Sequence, residues 1–257
     1  MNLFSVYKVY ELENKEIVIH KPPSTTGEFP IESFVQIRVE LKLQIEQKID
    51  TNNCPPNSTC PMLVLDFPKT MVSSGVIIWS GENKTLILTA GHSCENEIPE
   101  PIKLVEEKIR VKTGYGISST ATVLQINREE DLCMLGVEEY LGPPMKYSNK
   151  TIPLHTEVFA MASPLGLGSP YAIPVFEGRY FGDVGSEFST YGFPSAPGSS
   201  GGPIFTKDGR VVGIITAVAN GFHHFSIATT AKQTSIFLDK NIKLFNNSSR
   251  IQDPQID

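Results

Sequence analysis

Polar and apolar residues alternate without a break from Val35 to Ile45. Val35, Ile37, Val39, Leu41, Leu43 and Ile45 are apolar, and Gln36, Arg38, Glu40, Lys42 and Gln44 lie between them. Successive side chains of a strand point to opposite faces, so period two over this length predicts a long strand with one buried face. A helix would need spacings of three and four, which the stretch lacks. Shorter β-rich runs follow at 62–65, 75–79, 85–89, 109–112, 120–126 and 133–137, and then at 157–161, 172–179, 203–206, 211–218 and 225–229. Turn residues separate them, including Ser80-Gly81 and Lys207-Asp208-Gly209. Many short strands between frequent turns predict an all-β sandwich or barrel. One helix is expected, at the end, where Ile236, Leu238, Ile242, Leu244 and Phe245 carry a helical spacing. The organisation expected is an N-terminal extension over 1–30, a first half over 31–145, a second half with the helix over 146–240, and a tail over 241–257. The Gly142-Pro143-Pro144 break marks the boundary between the halves.

Length and charge narrow the function. The chain has 257 residues, enough for one large all-β domain or two average ones. Its formal net charge is −6, so there is no basic excess to neutralise phosphates, and nucleic acid is not an expected partner. No apolar run approaches the roughly 20 residues that cross a bilayer. The first residues carry charge from Lys8 onward and hold no apolar signal-peptide core. No membrane partner is expected, and an intracellular, cytoplasmic location is favoured.

Four cysteines, Cys54, Cys60, Cys94 and Cys133, are too few for a disulfide scaffold at this length. Cys54 and Cys60 could close a small loop or hold half of a metal site. With no second Cys/His pair at ligand spacing nearby, free thiols are expected there, and neither a metal nor a cofactor is expected.

The candidate chemistry lies in three segments. Gly198-Ser199-Ser200-Gly201-Gly202-Pro203 precedes a strand. A serine among glycines is often a plain turn. It is also what a nucleophilic serine needs: an exposed Oγ, and a tight backbone whose N–H groups can converge on an oxyanion. Serine requires a base. Of five histidines, His92 follows the apolar, β-branched run 86–90, and a strand end is a rigid mount. A third group must fix the imidazole tautomer, and Asp131, immediately before the apolar run 132–135, suits that role. Each segment alone has an ordinary reading as a turn or strand end.

Taken together, and in the order His, Asp, Ser, the segments resemble the trypsin-like serine proteases. Thr89-Ala90-Gly91-His92 resembles the histidine motif, Asp131-Leu132-Cys133-Met134-Leu135 the aspartate motif, and Gly198 to Pro203 the serine motif. The likeness is nearest to the HtrA/Deg-like branch. Ser74-Gly75-Val76-Ile77-Ile78 resembles that branch's first core strand, 158–166 its strand and turn past the midpoint, and Gly209-Arg210-Val211-Val212-Gly213-Ile214 its hairpin after the serine. The resemblance spans about 72–240. It implies two perpendicular Greek-key β-barrels, His92 and Asp131 on the first and Ser200 on the second, and a serine endopeptidase acting on protein or peptide substrates. It also implies an oxyanion hole from the N–H groups of Gly198 and Ser200. The primary pocket would be lined by Pro194, Thr216, Ala217 and Val218.

Departures from the family sharpen these expectations. Ser199 stands where pancreatic-type relatives carry an aspartate that pairs with a freshly cut N-terminus, so activation by that ion pair is not expected. Pro194 offers no charge to hold Lys or Arg, and Val218 narrows the pocket toward small or medium apolar side chains. His223 and His224 could instead favour Glu or Gln if they reached the pocket. Only 57 residues follow Ser200, so no PDZ domain of the kind HtrA relatives carry is expected. Cys94 lies two residues after His92, where disulfide-bearing relatives place a cysteine directly after it, so a free thiol is expected. Cys133 is expected as a small buried apolar residue. The competing reading is a catalytically silent trypsin-fold binding or structural protein.

Overall fold

The alternating segment forms β1 (Phe34–Lys48) in a computed structural model of the chain, which describes residues 29–48, 62–168, 172–219 and 222–250. Val35, Ile37, Val39, Leu41 and Leu43 are each 3% exposed or less and fill the interior of a closed six-stranded barrel. The barrel order is β1, β2 (Met62–Ser80), β3 (Thr85–Ala90), β6 (Leu132–Val137), β5 (Ser118–Asn127) and β4 (Ile102–Thr113). β1 is paired along both edges, with β2 and with β4, so it is an integral stave.

The runs at 62–65 and 75–79 are one strand of 19 residues, which corrects the expectation of two. Pro68 hides this continuity in the sequence. Only the Val76–Ser80 end of β2 pairs with β3, so Pro68 lies where β2 has one neighbour and its missing N–H costs no ladder bond.

The second unit comprises β7 (Lys146–Tyr147), β8 (Glu157–Met161), β9 (Val175–Val184), β10 (Phe188–Tyr191), β11 (Pro203–Phe205), β12 (Arg210–Ala219) and β13 (Phe222–Thr229). Its order is β11-β8-β9-β10-β13-β12, closed by pairing of β11 with β12, with β7 added in parallel outside β12. β10 escaped the sequence pattern because its four residues stand alone between turns.

β3 and β6 are buried at every position. One face fills the first barrel. The other, with Leu86, Leu88, Leu132 and Met134, packs on Met161, Phe205 and Ile214 of the second unit and on Phe237 and Leu238. Burial on both faces explains why these strands read as unbroken apolar runs. The helix α1 (Ala231–Arg250) starts where the Thr230 hydroxyl accepts from the Gln233 N–H at 3.2 Å, an N-cap. Ile242 and Phe245 continue its packed stripe, and Phe245 meets Trp79 edge-on at 5.4 Å. No helix among the described residues is long and apolar enough to cross a membrane.

Candidate active site

Strand register brings the first two candidates together. Ala90 at the end of β3 pairs with Leu132 at the start of β6, so the residues just beyond, His92 and Asp131, leave the barrel at the same rim. Asp131 grips the histidine turn twice. Its Oδ2 is 2.8 Å from His92 Nδ1, and its Oδ1 accepts the His92 backbone N–H at 2.8 Å. The Asp131 carbonyl also accepts the Gly91 N–H at 2.9 Å. Gly91 eases this approach, since a Cβ there would press on Asp131 Oδ1 and its backbone at 3.0 and 3.1 Å. Asp131 has φ 51°, a left-handed conformation that aspartate tolerates better than most residues and that these bonds hold in place.

The His92 pKa is raised above the usual imidazole value, first by the hydrogen bond to Asp131 and then by its charge, against partial burial that opposes the shift. The imidazole side chain is 51% exposed and the carboxylate 22%, so the ring has one anchored and one accessible side. With Nδ1–H donating to Asp131, Nε2 carries the lone pair.

Ser200 lies in the turn that precedes β11. Ser199 N–H donates to the Ala196 carbonyl at 2.9 Å, and Ala196 N–H donates to Ser199 Oγ at 3.2 Å. The turn is thus braced from within by an uncharged residue. Gly198 (φ 98°) and Gly201 (φ 84°) take backbone conformations closed to other residues without strain. A Cβ on Gly201 would run into the Ser74 carbonyl and Thr89 Oγ1, so only glycine lets the serine turn close onto the first barrel. Among the described residues, no acceptor pairs with the N–H of Gly198 or of Ser200.

Ser74, the first residue of the strand motif 74–78, ties the barrels together. Its hydroxyl donates to the Gly198 carbonyl and accepts the Ser163 N–H, each at 2.8 Å. Its own N–H donates to the Ser200 carbonyl at 2.8 Å. A polar side chain at 0% exposure inside a β-rich run was the signal that could have marked it, but burial is not readable from sequence.

Beside Ser200 lies a cavity of about 280 Å3, lined by Ser195, Ala196, Pro197, Ile215, Ala217 and Val218, together with Ser199 and Ser200 themselves. Of the residues named from the motif likeness, Ala217 and Val218 line this cavity. Pro194 is exposed and Thr216 is buried with its hydroxyl on the Ile227 carbonyl at 3.3 Å, and neither lines the cavity. Alternation along the chain is the reason, because Ser195 faces inward where Pro194 faces out. Ser195 Oγ is instead held by Ser226 Oγ at 2.9 Å. His224 is exposed and is not a lining residue. The His223 side chain, Cys54 and Cys60 lie outside the described residues.

The free thiol expected at Cys94 is a correction, as is the unbonded Cys133. The two form a disulfide with α-carbons 6.4 Å apart. Cys133 pairs with Thr89 inside the barrel wall, and the turn Gly91–Ser93 folds the chain back after β3 so that Cys94 meets it. Both sulfurs are buried, and the bond ties the histidine turn to the aspartate strand. Among the described residues, no three His, Cys, Asp or Glu side chains converge as metal ligands would.

Comparison with known proteins agrees with this layout. Over 123 residues the chain is 27% identical to a protein of Chlamydia pneumoniae described as a probable periplasmic serine endoprotease, DegP-like; the match covers 44% of this chain and 24% of that one. The chain thus spans about a quarter of that curated relative. A serine endoprotease structure from Yersinia pestis superposes with a TM-score of 0.57 at 19% identity, over 83% of this chain and 64% of the other. A protease of M. tuberculosis in its active form gives 0.57 at 16% identity, over 90% and 92%. At these identities the structures speak for the fold alone, the trypsin-like double barrel. Residues 73–214, more than half of the chain, match the trypsin-like peptidase domain, and it is to this family that the chain belongs.

Proposed function

We propose that the chain is a serine endopeptidase that cleaves peptide bonds through an acyl-enzyme, with Ser200 as nucleophile, His92 as base and Asp131 as orienting carboxylate. The observation that carries this reading is the double grip of Asp131 on His92, through ring and main chain, which leaves Nε2 as the accessible base. Ser200 Oγ attacks the scissile carbonyl carbon while its proton passes to His92 Nε2. The tetrahedral oxyanion is met by the N–H groups of Gly198 and Ser200, which have no other acceptor among the described residues. His92 then returns the proton to the leaving amine and the C–N bond breaks. A water, deprotonated by the same nitrogen, releases the acyl group and restores Ser200. Asp131 stays ionised throughout and stabilises the imidazolium.

The cavity beside Ser200 accepts the residue before the scissile bond. Its walls are Ala196, Pro197, Ile215, Ala217 and Val218, with no charged group, so small aliphatic side chains fit and Lys or Arg do not. Because Ser199 braces its turn without an ion pair, the chain needs no cut N-terminus to form the oxyanion hole.

A fluorophosphonate probe tests the reading. Labelling of the wild type that disappears in Ser200→Ala supports it. Absence of labelling at every pH from 6 to 9 would leave a silent trypsin-fold binding protein as the better description.

A further inference from the structure

The outer face of the first barrel carries an open groove of about 310 Å3, lined by Gln36, Arg38, Glu40, Arg110, Lys112 and Ser118. Its one carboxylate is already committed, because Glu40 Oε2 lies 3.0 Å from Arg110 Nε. Arg38 and Lys112 are exposed and have no acidic partner among the described residues. The groove therefore presents two uncompensated positive charges.

Its position relative to Ser200 follows from the strand register. Gln36 pairs with Ser74, whose N–H holds the Ser200 carbonyl. Gln36 Nε2 also donates to the Gly166 carbonyl at 3.2 Å, in the turn that abuts the serine loop through Leu165 N–H and the Pro197 carbonyl. Arg38 is two residues further along β1, and Lys112 pairs with Gln36 from β4. Strand geometry puts their α-carbons roughly 8 to 10 Å from that of Ser74. An extended substrate advances about 3.3 Å per residue, so this span is two to three residues. The direction is set by the cavity for the residue before the bond, which is built wholly from the second barrel. A peptide that fills it and crosses Ser200 leaves toward the first barrel.

We propose that Arg38 and Lys112 form a subsite that selects Asp or Glu at the second or third position after the scissile bond. This rests on the endopeptidase reading, and the test separates the two. Two labelled ten-residue peptides are compared that share Val before the bond and differ only at those two positions, Glu-Asp against Ala-Ala. Their binding to the Ser200→Ala chain is measured by fluorescence anisotropy at 50 mM NaCl, so no turnover is needed. The acidic peptide is expected to bind about five- to tenfold more tightly, as two solvent-facing charge pairs allow. The ratio falls to about one when Arg38→Gln and Lys112→Gln are added, and it shrinks at 0.5 M NaCl. An acidic peptide that binds no better than the alanine peptide overturns the subsite, and so does a preference that survives both substitutions. Failure of the endopeptidase reading shows separately, as a wild type that the fluorophosphonate does not label.

Discussion

The Ser74 hydroxyl of the first barrel donates to the Gly198 carbonyl of the second at 2.8 Å, and it is completely buried. The bond fixes the Gly198–Ser199 peptide, which lies between the two candidate oxyanion donors, so the donors take their aim from the opposite barrel. Ser74→Ala would leave both the Gly198 carbonyl and the Ser163 N–H unpaired, at a cost of about 1–3 kcal/mol for each buried group. We expect kcat to fall about 10- to 100-fold with little change in KM. A peptide boronate, which mimics the tetrahedral state, should lose affinity in parallel with kcat, whereas substrate binding to a Ser200→Ala background should not change. Equal losses in both would mean that Ser74 serves only stability.

Asp131 holds His92 in the charged form more readily than water does, and this has a defined consequence for pH. The base must be neutral to accept the serine proton. A raised pKa keeps it protonated to a higher pH, so the acidic limb of kcat/KM lies above the ordinary imidazole value of 6.5. Asp131→Asn removes the charge and should shift that limb downward. It should also lower kcat by about 10^4-fold, the loss found when a triad carboxylate becomes an amide. A pH–rate series on both proteins checks limb and magnitude together.

The Cys94–Cys133 bond spans 39 residues of sequence. Closing a loop of that size restricts the unfolded chain by about 4 kcal/mol in the chain-entropy account. The double variant Cys94→Ala/Cys133→Ala should therefore unfold at clearly lower urea concentration, by up to that free energy. Dithiothreitol should reproduce the shift in the wild type and leave the variant unaffected. An unchanged midpoint would show that the cysteines are not bonded in solution.

Val218 narrows the cavity beside Ser200. Val218→Gly removes a wall and should let larger side chains in. The ratio of kcat/KM for Phe over Val before the scissile bond should rise about tenfold or more, in line with the few kcal/mol at stake in burying an aromatic ring. A competition assay with paired peptides reads the ratio directly, and an unchanged ratio would place that residue elsewhere in the cleft.

Much of the fold was legible because its signals are local. The alternation of 35–45 marked β1, and the apolar runs of β3 and β6 marked strands buried on both faces. What the pattern lost was lost for local reasons as well. Pro68 broke the apparent continuity of β2, and the four residues of β10 were too few to show a period. The spacing through Ile242, Leu244 and Phe245 marked the helix, while the partner it meets, Trp79, lies too far away in sequence to be read.

By itself the sequence determined which residue types were available for acyl transfer, since hydroxyl, imidazole and carboxylate chemistry belongs to side chains. It also determined where the chain could turn tightly, because glycine's freedom at 198 and 201 needs no partner. Tertiary structure decided what those residues meet. The disulfide, the Ser74 bonds and the bare charges of Arg38 and Lys112 all depend on contacts between segments remote in sequence. A one-residue slip of β1 would carry Arg38 from the outer face to the barrel interior.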